Sequence, residues 1–173
     1  MKRAPAGRRL AAVRLLAMDV DGVLTDGSIW YTDRGDELKR FDVRDGQGLV
    51  LLADAGVVTA VVTRRQSAIV ERRARELGIA EVHQAASDKA SVMKALLTRH
   101  GVRSAEACFV GDDVGDLAAM ALVGLPVAVA DAVPAVARAA WYVTEAPGGR
   151  GAVRELCDLI LAARQRAKPA RHS

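Results

Sequence analysis

Two carboxylates one residue apart close the first apolar run of this chain, in Leu15-Leu16-Ala17-Met18-Asp19-Val20-Asp21-Gly22. A short apolar run that breaks at glycine predicts a buried strand of a parallel sheet. Side chains alternate faces along a strand, so Asp19 and Asp21 share a face only while the extended geometry lasts. At the carboxyl end of such a strand the chain opens into the crevice where α/β proteins place their ligands. Two acids there repel each other, and burying them without a cation or a proton is costly. Magnesium, which prefers hard oxygen ligands, is the natural neutraliser. The plainer alternative is an N-terminal strand whose acids merely end it in solvent.

Composition narrows the function classes. Hydrophobic residues make up 51% of the 173 and aromatics only 3%, so the core must rest on Ala, Val and Leu. One domain of this length buries a proper core. The formal charge of +4 sits at the ends: residues 1–14 hold five cations and residues 164–173 hold four, with no acids in either. Setting those nine aside leaves 16 basic against 21 acidic residues, a body of charge −5. An acidic body with basic ends and no interleaved aromatics is a poor nucleic-acid surface. We therefore read residues 1–12 and 166–173 as disordered basic tails around a single domain over 13–165. Cys108 and Cys157 each stand in an apolar setting and suggest reduced thiols in a cytosolic core. No apolar stretch approaches a membrane span, and Arg14 and Asp19 interrupt any signal-peptide pattern. The expectation is a soluble, cytoplasmic protein with neither nucleic acid nor membrane as partner.

Further along, Ser28–Thr32 and Glu37–Val43 flank a Gly-containing turn and predict a hairpin over about 28–43. Ile29, Trp30, Tyr31, Leu38, Phe41 and Val43 make it unusually apolar for this chain, so it wants a partner. Arg44–Gly48 leads to a short helix at Leu49–Ala55. Strands are expected at Val57–Val62, near Val82, and at Ala107–Val110, Pro126–Ala130 and Trp141–Thr144. Helices are expected at Ala68–Leu77, from Ser87 to about Arg99, and at Asp116–Leu122, Val133–Ala139 and Ala152–Arg164, with Pro147–Gly151 a flexible loop. Strands alternating with helices imply an α/β fold with a doubly wound parallel sheet.

That topology brings strand ends to one edge, so Asp19/Asp21, Thr63, Lys89 and Asp112/Asp113/Asp116 can converge. Together they form a phosphoryl-transfer kit. A carboxylate nucleophile splits one hard step into two. A magnesium ion offsets the repulsion between phosphate and carboxylate. Lys89 adds a compact cation, Thr63 a hydroxyl donor, and the late acids a metal ligand and its orienting neighbours. Taken singly, Thr63 is a strand-end turn residue, Lys89 a solvated first-turn lysine and Asp112-Asp113 a helix cap. Their joint order argues against that reading.

Asp19-Val20-Asp21-Gly22-Val23-Leu24-Thr25-Asp26 resembles the first motif of the haloacid dehalogenase superfamily of phosphohydrolases. Lys39-x-Phe-x-Val-Arg-Asp-Gly-x-Gly48, Gly111-Asp-Asp-x-x-Asp116, Val129-Ala-Asp-Ala132 and Gly148-Gly-x-Gly-Ala-Val-Arg-Glu155 look like the 3-deoxy-D-manno-octulosonate 8-phosphate phosphatase family. The resemblance runs from about Leu15 to Ala163. It implies a Rossmann-like fold without a cap domain and a homotetramer. In that family the hairpins assemble at the centre, and the Gly-rich C-terminal segment approaches a neighbour's site. By this analogy Asp19 is the nucleophile and Asp21 the general acid/base. The metal ligands are Asp19, the Asp21 backbone carbonyl and Asp112, with Asp113 and Asp116 behind them. Relatives include phosphatases of nonulosonate 9-phosphates and a domain fused to some acylneuraminate cytidylyltransferases.

Two departures stand out. The family's usual Thr-Gly-Arg is Thr63-Arg64-Arg65 here, and a usual glycine after Gln84 is Ala85. If either glycine needs φ > 0, its replacement strains the loop beside the phosphate site. Arg64 could instead meet an anionic substrate, since a guanidinium suits carboxylate and phosphate geometry. The reading is a magnesium-dependent phosphatase of an acidic sugar phosphate, with Arg44, Arg64, Arg65 and Arg154 as the cations expected to meet it. A phospho-receiver domain is the rival from another class, but Lys89 preceding the late acids argues against it. A catalytically silent scaffold subunit is the other rival.

Overall fold

The computed structural model describes residues 7–167. Six parallel strands form one sheet: β1 (Leu15–Met18), β4 (Val58–Val62), β5 (Glu81–His83), β6 (Ala107–Gly111), β7 (Leu125–Ala128) and β8 (Tyr142–Val143). Their order is β5-β4-β1-β6-β7-β8, the doubly wound arrangement expected from the alternation of strands and helices. The chain winds outward from β1 to β5, then crosses back to β6 on the other side of β1. β1 therefore lies at the switch point, where such sheets open their ligand crevice. Two short strands, β2 (Trp30–Tyr31) and β3 (Glu37–Leu38), pair antiparallel as a separate hairpin. That hairpin is all that is inserted between β1 and the following helix, so there is no cap domain.

The core has two layers because the strand alternates its side chains. Leu16 and Met18 of β1 face one layer, with Leu49 and Leu52 of α2 (Val43–Asp54) and Leu156 and Ile160 of α7 (Ala152–Ala167). Leu15 and Ala17 face the other, with Phe109, with Met93 and Leu96 of α4 (Lys89–Arg99), and with Val136 of α6 (Pro134–Ala139). All four β1 residues are fully buried, which is why this strand reads as a continuous apolar run. Cys108 and Cys157 are free and buried in the first layer.

Four expectations change. The helix expected from Leu49 begins at Val43, because Asp42 caps it by accepting from the Arg44 amide at 2.8 Å. Gly46 and Gly48, placed ahead of the expected helix, are helical and buried because α7 and the Arg73 and Leu77 side chains press on them. A Cβ on Gly48 would lie 3.0–3.2 Å from Arg154 and Cys157 of α7. The expected tail over residues 1–12 is helical over Gly7–Ala11 (α1), where Leu10 is buried in the first layer. At the other end α7 continues to Ala167, and the Arg164 guanidinium, counted with the tail cations, donates to the Val13 and Ala55 carbonyls. Residues 1–6 and 168–173 lie outside the described residues. The Pro147–Gly151 segment is not a free loop: Gly148 and Gly149 are buried, and the Gly149 amide donates to the Val23 carbonyl at 2.8 Å.

The α2–α7 contact yields a prediction that opposes helix propensity. Gly48→Ala, which intrinsic preference favours, should cost about 1–3 kcal/mol by overpacking against the α7 backbone. Urea denaturation of the variant and wild type would measure it; equal or greater stability would contradict the packing.

Candidate active site

The β1 end is shaped by a turn that the motif dictates. The amides of Val23, Leu24 and Thr25 all donate to the Val20 carbonyl, at 2.9–3.1 Å. Gly22 takes φ +90, and a Cβ there would overlap the Asp112 carboxylate. A side chain at position 22 would thus push the late acid cluster off the first. The Gly148-Gly149 segment packs on the far side of this turn, where Cβ atoms would collide with the Gly22 and Thr25 backbone.

A cleft of about 220 Å³ gathers Asp19, Asp21, Thr63, Arg64, Arg65, Lys89, Asp112, Asp113 and Asp116. Every residue expected from the β1, β4, α4 and β6 ends is therefore in one place. Lys89 is its hub. It is the first residue of α4, only 3% exposed, and its Nζ lies 2.7 Å from both Asp19 and Asp116. A buried cation at a helix N-terminus faces the positive end of the helix dipole, so those two carboxylates are what holds it there. Asp116, itself 1% exposed, spends its other oxygen on the Asp112 and Asp113 amides, at 3.0 and 3.3 Å. Asp113 accepts from the Val114 amide and caps the turn.

Asp19 accepts from the Val20 amide at 2.7 Å through Oδ1 and pairs with Lys89 through Oδ2. Burial raises its carboxyl above the ordinary range against the pull of Lys89, and nearby Asp116 adds to the rise. Asp112 is more strongly placed. Burial first, then Asp116, Asp19 and Asp113, push its carboxyl up to about 7. Its Oδ1 is buried without a hydrogen-bond partner. Oxygens of Asp19, Asp112 and Asp116 come within 4.8 Å of one another. An orphaned buried carboxylate oxygen beside two more carboxylates is the donor set of a hard divalent cation. With five carboxylates against three cations lining it, the bare cleft would repel a phosphate dianion.

Thr63 is buried at the β4 end; its amide donates to the His83 carbonyl and its carbonyl accepts from the Ala86 amide. Arg64 is exposed and lies over Gly115. Of the two departures from the family pattern, only Ala85 takes positive φ, at +53, and it is the one such non-glycine among the described residues. Its amide bonds the Arg65 carbonyl, so the strained residue supports the Thr63–Arg65 loop. Arg44 and Arg154 do not line the cleft. Arg44 pairs with Asp42 and reaches the Arg150 carbonyl, while Arg154 pairs with Asp158 on α7. Sequence reasoning passed over Lys39 and Glu37 as site residues. Lys39 bonds Asp21, and Glu37 bonds Lys39, Arg65 and Ser67. The alternation Glu37-Leu38-Lys39 puts both charges on one face of the strand, opposite Leu38, without saying that this face meets the site. A larger hollow of about 540 Å³ near Arg9 and Trp141 has only Arg9 as a titratable lining group. It offers no comparable chemistry.

A family model described as haloacid dehalogenase-like hydrolase matches residues 50–156. A 3-deoxy-D-manno-octulosonate 8-phosphate phosphatase of Yersinia pestis is 45% identical over 163 residues, covering 94% of this chain and 87% of that one. The chain belongs to this phosphatase family of haloacid dehalogenase-like hydrolases. Among solved structures, the Moraxella catarrhalis family member, in complex with magnesium, phosphate and a KDO molecule, superposes with a TM-score of 0.90 at 39% identity. The match covers 92% of both chains. The cobalt-bound Haemophilus influenzae phosphatase gives 0.88 at 38% identity, covering 95% of this chain and 96% of that one. Membership makes this chain a phosphatase with a Rossmann-like α/β fold. No helix among the described residues is long and apolar enough to cross a membrane.

Two predictions follow from the site's strain and charge. Ala85→Gly relieves a left-handed alanine worth about 1–2 kcal/mol, and glycine's extra unfolded-state freedom takes back about 0.5–1. A net gain of about 0.5–1 kcal/mol should appear as a raised Tm; a lowered Tm would contradict the strain. Asp112 binds its proton more tightly folded than unfolded, so in metal-free protein its contribution to stability falls as pH rises from about 4 to about 7. In chelator, the Tm advantage of Asp112→Asn over wild type should therefore grow across that window and level off above it. A difference that is flat with pH would contradict the assignment.

Proposed function

We propose that this phosphatase is magnesium-dependent, works through an aspartyl-phosphate on Asp19, and acts on 3-deoxy-D-manno-octulosonate 8-phosphate. The observation that carries the reading is the Asp19–Lys89–Asp116 cluster facing the orphaned Asp112 oxygen at the end of β1. The substrate comes from the relatives, which carry that activity in their names. Asp19, Asp112 and the Asp21 backbone carbonyl would hold the ion. When bound, magnesium supplies the positive charge that lets a phosphate dianion approach these carboxylates.

The chain's own groups do the rest. Lys89 holds Asp19 by Oδ2 and adds a cation beside the transferring oxygens. Asp19 attacks phosphorus, the bond from phosphorus to the sugar oxygen breaks, and Asp21 gives that oxygen its proton. Asp21 then takes a proton from water as it attacks the phosphorus, which releases phosphate and restores Asp19. Thr63 donates a hydroxyl to the phosphoryl group, and Arg65, within 3.8 Å of Asp21, meets the anionic substrate. Arg64, Arg44 and Arg154 are further cations for the sugar acid; the last two lie outside the cleft of a single chain.

The hairpin supports assembly as a homotetramer. Trp30, Tyr31 and Leu38 are 61%, 63% and 54% exposed, and with Ile29 at 52% they put four large apolar side chains on the outside of one small hairpin. Phosphate release from 3-deoxy-D-manno-octulosonate 8-phosphate, beside a nonulosonate 9-phosphate, tests the substrate. Release from the first should need magnesium and fall on the order of 10⁴-fold or more in Asp19→Asn. Preference for the second would move the substrate, and release from neither by folded protein would leave a scaffold.

A further inference from the structure

The hairpin that offers an apolar outer face turns a charged face inward. Along β3 and just beyond it, Glu37 and Lys39 point toward the body while Leu38 between them is exposed, as strand alternation requires. The Lys39 side chain is 2% exposed. Its ammonium meets Asp21 Oδ1 in a short hydrogen bond and Glu37 Oε1 at 3.3 Å. Glu37 is anchored in turn by Arg65 at 2.7 Å and by the Ser67 hydroxyl at 2.6 Å. A lysine this enclosed is held by both acids at once, and losing either would leave a buried charge poorly compensated.

Asp21 is otherwise loosely held. Among the described residues its side chain accepts one hydrogen bond, from Lys39, and its nearest other cation is Arg65 Nε, 3.8 Å from Oδ2. Asp19, by contrast, is fixed through both oxygens. We propose that Lys39 is the positioning residue of the acid/base: by occupying Oδ1 it fixes the direction of the Asp21 carboxylate and leaves Oδ2 as the oxygen that carries the transferred proton. This deepens the reading above and rests on Asp21 serving as the acid/base. It also makes the hairpin part of the chemistry. Whatever seats the hairpin seats Lys39, and through it Asp21.

The choice of leaving group separates positioning from mere scaffolding. A sugar alkoxide needs a proton to depart, whereas p-nitrophenolate leaves without one, so a displaced Asp21 slows phosphoryl transfer to Asp19 from the first ester and spares it from the second. Hydrolysis of the aspartyl-phosphate slows for both, so the rates to compare are those of alcohol release in the first turnover. In Lys39→Met, the first-turnover rate of sugar release from 3-deoxy-D-manno-octulosonate 8-phosphate should fall by about 10²-fold, the typical worth of a positioned general acid. The first-turnover rate of p-nitrophenolate release should stay within about threefold while steady-state kcat falls on both esters, and Lys39→Arg should restore most of the sugar-phosphate rate. Equal first-turnover losses on both substrates, or no recovery in Lys39→Arg, would overturn the proposal. Should Lys39→Met fail to fold, Glu37→Gln decides. It keeps Lys39 but frees one anchor, and the ratio of sugar-phosphate to p-nitrophenyl phosphate first-turnover rates should fall by about 3–10-fold; an unchanged ratio overturns the proposal. Active wild type with unchanged ratios refutes the role of Lys39 alone. Folded wild type that hydrolyses neither ester refutes the underlying reading and the proposal with it.

Discussion

Lys89 is the contact on which the site depends. Its ammonium joins the end of β1 to the turn after β6 through two carboxylates at 2.7 Å, with the lysine itself only 3% exposed. Remove the cation and Asp19 and Asp116 face each other across a region of low dielectric, with Asp112 adding a third acid. The strain is not fully relieved even with Lys89 present, since Asp19 and Asp112 both stay above the ordinary carboxyl range. That residual imbalance is a property of the fold, because the switch point of the sheet forces these strand ends together. A site short of positive charge, with one carboxylate oxygen left over, is prepared for a divalent cation and then for an anionic substrate.

Much of this was legible in the amino-acid sequence, for physical reasons that differ by element. β1, β4 and β6 are buried on both faces, so their apolar runs could be read directly. The acids, Thr63 and Lys89 converge because parallel crossovers leave little choice about where strand ends meet. The start of α2 was hidden because two glycines within its first turns carry no apolar periodicity, while their real reason is the close approach of Arg73 and α7. Only tertiary packing carries that information. Ala85 was suspected and Arg64 suspected equally; the left-handed φ belongs to Ala85 alone.

Lys39 and Glu37 show the harder case. Their spacing is that of any two-residue strand, and nothing local says which face of a hairpin looks at an active site. The hairpin is tied to the body by charge on one face and offers Trp30, Tyr31 and Leu38 on the other. The strands of the hairpin meet the body through ion pairs, and one of them carries a partner of Asp21. The Gly148-Gly149 segment braces the other side of the same loop through the Val23 carbonyl. The turn that presents Asp19 and Asp21 is thus held between two insertions, one before α2 and one before α7.

Covalent catalysis by Asp19 is the centre of the account, and trapping it is the direct measurement. Protein mixed with magnesium and 3-deoxy-D-manno-octulosonate 8-phosphate would be acid-quenched within one turnover, digested and examined by mass spectrometry. A phosphoryl group on the peptide bearing Asp19, absent from Asp19→Asn, is the expected result. Rapid phosphate release with that peptide unmodified at every quench time would mean that water attacks the phosphate directly, and would contradict it.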